Sequence, residues 1–166
     1  MRVIGFLIFI FGAVLWQTNV LSAGFDYSTK GCEYVITFPV QPDYIQSQVF
    51  GLETIMAITP NDHVPCLRAE CVKIADKSLV TDGAIREFIN YQANSIGISG
   101  AVRFEKKSLG TIASLYGMKS IGKLKVNVVL RIYIGSQSLL NTVVVEETQN
   151  FPSVKTIKFW DSVRRR

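Results

Sequence analysis

Between Lys123 and Glu147 the chain reads KLKVNVVLRIYIGSQSLLNTVVVEE. Leu124, Val126, Val128, Leu130, Ile132 and Ile134 fall at every second position, with Lys125, Asn127, Val129, Arg131 and Tyr133 between them. A period of two places the first set on one face of a β-strand. Gly135-Ser136 follows, a pair suited to a type II′ turn whose first central residue takes positive φ. Leu139, Leu140, Thr142, Val143, Val144 and Val145 then return as a second strand. That strand is apolar on both faces, so both faces of the sheet must be covered there.

The pattern before this hairpin predicts further strands and one helix. Glu33 to Phe38 alternates Tyr34, Ile36 and Phe38 against Val35 and Thr37, and Pro39 and Pro42 stop it, because proline donates nothing to a ladder. Val49 to Thr59 reads as a second strand kinked at Gly51, and Cys66 to Ile74 as a third after the Pro60-Asn61-Asp62 turn. Thr81 or Asp82 caps a helix to about Ile96 that gathers Ile85, Phe88, Ile89, Gln92 and Ile96 on one side. Ala101 to Leu109 and Thr111 to Ile121 are strands joined at Gly110. Asn150 caps a last helix from about Pro152 to Arg164, with Ile157, Phe159, Trp160 and Val163 on a broad apolar arc. These elements add up to one α+β domain: a single antiparallel sheet of about seven strands covered by helices, an α/β/α sandwich.

The start of the chain changes the length that counts as domain. Arg2 is a short positive n-region, Val3 to Trp16 is uncharged and apolar, and Leu21-Ser22-Ala23 closes the run with small residues. Residues 1–23 therefore read as a signal peptide cleaved after Ala23. The alternative is an uncleaved membrane anchor, since the apolar run approaches the ~20 residues that span a bilayer. Either way the rest of the chain is exported, to the periplasm or beyond, with 24–32 a polar linker and 33–166 the domain. Thr29-Lys30-Gly31 before Cys32 does not fit a lipobox, where an apolar and a small residue are needed.

Charge excludes one class of partner. Of the 18 basic residues, losing Arg2 leaves 17 against 13 acidic, a net +4. No basic stripe with interleaved aromatics is present, so nucleic acid is not a partner. The one visible cluster, Arg164-Arg165-Arg166, reads first as a solvated, frayed terminus and second as a weak contact to an anionic membrane surface.

At Tyr34-Val35-Ile36-Thr37-Phe38-Pro39-Val40-Gln41-Pro42 the sequence resembles the opening strand and F-P-x-x-P corner of PsbP-like domains. Lys158-Phe159-Trp160-Asp161-Ser162-Val163-Arg164 is similar to their aromatic-rich final helix. The resemblance implies an α/β/α sandwich and a role in binding other proteins or assembling membrane complexes. It carries over no partner-contact residue.

Candidate chemistry is sparse. Cys32, Cys66 and Cys71 in an oxidising compartment give one disulfide and one free thiol. In a straight strand Cys66 and Cys71 would lie roughly 17 Å apart on opposite faces, beyond the about 4.4–6.8 Å a disulfide allows. A turn at Leu67-Arg68-Ala69-Glu70 would join them, and Pro60 and Pro65 favour that local bridge; Cys32 with Cys66 or Cys71 is the other option. His63 is the only histidine, and no C-x-x-C is present, so neither metal nor cofactor is implied. A Cys66–His63 pair, or Ser120-Ile121-Gly122-Lys123 as S-x-x-K, would be the basis of a small Cys- or Ser-dependent hydrolase. The partner motifs S-D-N and K-T-G are missing, and Glu146-Glu147 point to opposite faces of a strand. The expectation is therefore a non-enzymatic, exported binding or assembly module that contacts another protein through a sheet edge or a loop.

Overall fold

A computed structural model of the chain describes residues 24–49, 51–60 and 65–166, so the leader and His63 lie outside the described residues. In chain order the elements are β1 (Phe25–Tyr27), β2 (Tyr34–Phe38), β3 (Asp43–Val49), β4 (Leu52–Ile58), β5 (Cys66–Lys73), α1 (Asp82–Ser95), β6 (Arg103–Lys107), β7 (Gly110–Ile121), β8 (Leu124–Ile134), β9 (Ser138–Glu147), α2 (Val154–Asp161) and β10 (Arg164–Arg165). Seven strands form one antiparallel sheet in the order β3-β4-β5-β9-β8-β7-β6, and β1-β2-β10 make a smaller one. The α+β class and the seven-stranded sheet are those the sequence predicts.

The alternation in β8 decides which face each layer covers. Val126, Val128, Leu130 and Ile132 share a buried cluster with Ala113, Leu115, Leu139 and Val143 from the flanking strands. Onto it α1 packs Ile85, Ile89 and Ala93, spaced four apart on one side of the helix. Thr81 caps that helix, its Oγ1 accepting from Ala84 N at 3.1 Å. The opposite face gathers Tyr34, Ile36 and Phe38 of β2 with Leu67, Ala69, Leu140, Val144, Phe159 and Val163. Phe38 and Phe159 meet edge-on at 5.0 Å between ring centres, which joins α2 to β2. The second cover is thus α2 together with a three-stranded sheet.

Several expected details differ. The segment read as a linker contains β1, because Phe25, Asp26 and Tyr27 find Phe38, Thr37 and Ile36 across from them. Val49–Thr59 is not one kinked strand: Gly51, at φ +75°, turns the chain between β3 and β4. The last helix starts at Val154 under a Ser153 cap, not at Asn150 and Pro152. The C-terminus is not frayed, since Arg164 and Arg165 pair with Val35 and Tyr34, and Arg166 N donates to Glu33 O.

Gly135 has a different reason from the one expected. Its φ is not positive; an added Cβ there would stand 2.2 Å from Oε2 of Glu33. The Glu33 carboxylate occupies the mouth of the β8–β9 turn and accepts from Ser136 Oγ (2.7 Å), Gln137 N (2.5 Å) and Ser138 N (2.9 Å). Glycine leaves room for that approach.

The disulfide joins Cys32 to Cys71, with Cα atoms 6.0 Å apart, and not Cys66 to Cys71. The proline-rich region does not bend β5: it is regular from Cys66 to Lys73 and pairs residue by residue with β9. Positions five apart in a regular strand face opposite ways. Cys71 faces the cluster that holds β2 and Cys32, and Cys66 faces away as a free thiol.

Two predictions follow from these ties. Cys32 and Cys71 are 39 residues apart, and closing a loop of that size stabilises the fold by about 4 kcal/mol in the chain-entropy picture. Cys32→Ser with Cys71→Ser should lower urea-unfolding stability on that order, while Cys66→Ser stays within about 0.5 kcal/mol; a non-reduced peptide map should show 32 linked to 71 and Cys66 alkylated. Partial burial raises the Glu33 pKa, but the Gln137, Ser136 and Ser138 donors outweigh it and hold the group at about 2. Its stabilisation is therefore complete above the ordinary carboxylate pKa and fades as pH falls toward 2. Because these hydrogen bonds are solvent-screened, Glu33→Gln should cost on the order of 1 kcal/mol at pH 7, and the difference from wild type should shrink as pH falls toward 2.

Candidate interaction site at the β3–β4 hairpin

The two edges of the large sheet are unlike. At one end β6 reads RFEKK, five residues of which four are charged. Short, charged edges are the usual guard against unwanted strand pairing. At the other end β3 reads DYIQSQV, seven residues with no positive charge and one acid at its start. Tyr44 (53%) and Ile45 (46%) are exposed along it. The outer row of β3 backbone N–H and C=O groups pairs with no strand among the described residues.

The hairpin also stands away from the sheet. β4 pairs with β5 only from Met56 to Ile58, opposite Glu70, Ala69 and Arg68. At the next position the hydroxyl of Tyr27 inserts, donating to Ile55 O at 2.5 Å and accepting from Cys71 N at 3.1 Å. One side-chain oxygen thus takes the place of a ladder hydrogen bond. Tyr27 is buried, and burial drives its pKa up to about 12, so the hydroxyl stays neutral and bridges both groups. Past this wedge, Leu52 and Ile55 of β4 are exposed, one toward each face of the hairpin.

A groove runs along each face. On the side of Tyr27, a hollow of about 770 Å³ is lined by Gln46, Gln48, Glu53, Ile55, Lys30 and Lys73 among others. On the other side, about 660 Å³ lies between the hairpin and α1. Its helical wall is Ala84, Glu87, Phe88, Tyr91, Gln92 and Ser95, a stripe beside the one that α1 buries. Its far wall is Gln48, Val49 and Arg68. Beneath it the fully buried Glu70 holds Arg68 at 3.0 Å and accepts from Thr54 Oγ1 at 2.5 Å. Arg68 Nε and Gln92 Oε1, a donor and an acceptor, are buried with no protein partner.

The residues singled out in the sequence fall elsewhere. Burial pushes the Cys66 thiol pKa up, the reverse of what a nucleophile needs. Ser120 and Lys123 lie at an exposed hairpin end and open no helix. Glu146 is buried and accepts from Ser153 N (3.1 Å) and Thr156 Oγ1 (3.0 Å), so it serves the start of α2. Arg164 pairs with Asp26 and Thr37, and Arg165 lies 5.7 Å over the Tyr34 ring. Among the described residues no three His, Cys, Asp or Glu side chains gather, and no helix is long and apolar enough to cross a membrane. Sequence reasoning missed β3, because YIQSQV lacks an apolar alternation; the signal was Gly51 between two extended runs.

No family model matches the sequence, and no curated protein matches it. Solved structures do. A protein from Bacteroides thetaiotaomicron VPI-5482, determined at 1.50 Å, superposes with a TM-score of 0.52 at 14% identity over 87% of this chain, which spans 49% of that one. The solution structure of cyanobacterial PsbP (CyanoP) from Synechocystis sp. PCC 6803 superposes with a TM-score of 0.56 at 13% identity, over 93% of this chain and 100% of that one. At such identities the likeness is one of fold, and the fold of this chain is PsbP-like.

Proposed function

We propose that the protein is an exported, non-enzymatic binding or assembly module that contacts another protein in the periplasm or cell envelope by strand addition at β3. The observation that carries this reading is the uncovered β3 edge, whose one charge is Asp43 at its start, in the same sheet as the highly charged β6 edge. An edge left in that state is a template for an incoming strand, with backbone hydrogen bonds giving affinity and flanking hollows taking side chains. The groove beside α1 supplies such a hollow, with Arg68 Nε and Gln92 Oε1 available to a polar group. Export is supported by the leader-like start and by a disulfide that persists in an oxidising compartment. The absence of catalysis is supported by the raised Cys66 thiol and the structural engagement of Glu146.

The test is capture from cross-linked envelopes of the source organism with three tagged forms: wild type, Ile45→Lys and, on the opposite edge, Glu105→Lys. Ile45 is half exposed and Glu105 is exposed, so neither change empties the core. One stoichiometric partner should be recovered with wild type and Glu105→Lys, and lost at least ten-fold with Ile45→Lys. Equal recovery with all three forms would sink the strand-addition reading.

A further inference from the structure

The hairpin between β7 and β8 ends in a second surface of different chemistry. It continues past its neighbouring strands: β6 pairs with β7 only from Gly110 to Ser114, and β9 reaches β8 only as far as Val126. The ladder nevertheless continues to Ile121 opposite Leu124, closed by Gly122 at φ +58° and Lys123. Three large apolar side chains are exposed on this short ribbon, Met118 (63%), Ile121 (51%) and Leu124 (52%). Strand alternation puts Met118 on one face and Ile121 and Leu124 on the other.

The charges on the ribbon itself have one sign, while the acids Glu146 and Glu147 of β9 stand at its base, opposite Asn127 and Val126. From Lys106 to Val145 the sequence contains no Asp or Glu. Lys123 and Lys125 are exposed at the end of the ribbon. Lys119 donates from Nζ to Ile96 O at 2.8 Å, which braces the ribbon against the end of α1. A protein partner covers one face of such a ribbon. A lipid interface surrounds it, taking apolar groups from both faces while ammonium groups meet phosphates.

We infer that the β7–β8 hairpin end docks the protein on an anionic membrane surface, with Ile121, Leu124 and Met118 entering the headgroup boundary and Lys123 and Lys125 pairing with lipid phosphates. Lys123 sits at the apex, so the docking is shallow and reversible. Each lysine near an anionic surface contributes about a five-fold gain in affinity.

The mature form, residues 24–166, is tested by co-sedimentation with vesicles of phosphatidylcholine alone and with about one third phosphatidylglycerol, so that the apolar leader and its Arg2 do not anchor the protein to either. Binding should be stronger on the anionic vesicles, fall about 25-fold with Lys123→Gln plus Lys125→Gln, and fall also with Ile121→Ser plus Leu124→Ser. These side chains are exposed, and unchanged thermal unfolding of the variants checks that the fold is kept. Arg166→Gln should leave binding unaltered. Equal binding to both vesicle types, no binding to either, or hairpin variants that bind like wild type would overturn the inference; loss with Arg166→Gln alone would assign the contact to the C-terminal arginines.

Discussion

The layer made by β1 and β2 is held on the main sheet through Cys71 above all. Its sulfur is bonded to Cys32, and its backbone N–H donates to the Tyr27 hydroxyl. Both ties exist because β5 is a regular strand: position 71 then faces β2, and its amide reaches toward the strand that β4 has left. The same parity turns Cys66 to the other face and leaves its thiol unpaired. Had the Pro60 and Pro65 region bent β5, the ladder to β9 would break, and eight residue pairs join those two strands. A local bridge of Cys66 to Cys71 would have needed that break. Sheet hydrogen bonding, worth about 1 kcal/mol per bond with a larger penalty when a buried one is lost, wins over the convenience of a short loop.

The Tyr27 wedge then shapes the surface beyond it. A hydroxyl between Ile55 O and Cys71 N satisfies both backbone groups while holding the two strands apart. A gap at that place without such a group would leave the buried Cys71 N–H without its partner. The β3–β4 hairpin can therefore diverge from the sheet at little energetic penalty, opening hollows on both sides. Glu70, buried beneath one of them, is tolerated because Arg68 and Thr54 both engage its carboxylate.

What the sequence disclosed follows from how strong each local pattern is. β8, β9 and α1 were legible because their apolar periods are long, and the covering of both sheet faces followed from the doubly apolar β9. β3 was not, since an exposed edge strand has no buried face to impose alternation, and Pro42 just before it reads as a stop. β1 and β10 were illegible for another reason: three and two residues long, they are strands only because β2 lies between them. The disulfide partner depended on strand parity, which the prolines obscured. The role of Gly135 depended on Glu33, 102 positions earlier, and no local reading reaches that far.

The geometry of the sheet sets the relation between the two exposed hairpins. Leu52 lies beyond the end of β5 that carries Lys73, which pairs with Ser138 at the Gly135 turn. Ile121 and Leu124 lie beyond the opposite end, past Glu147. Five strand spacings separate β3 from β7, about 24 Å at the usual spacing. The hairpins thus stand at opposite ends and toward opposite edges of one rigid sheet. A strand added at β3 adds to the edge farthest from β7 and leaves the β7–β8 end uncovered. An interface met by that end would in turn leave β3 facing away from it. Occupation of one surface does not obstruct the other, and a single domain can hold a protein segment at a fixed distance from a membrane surface without a flexible linker.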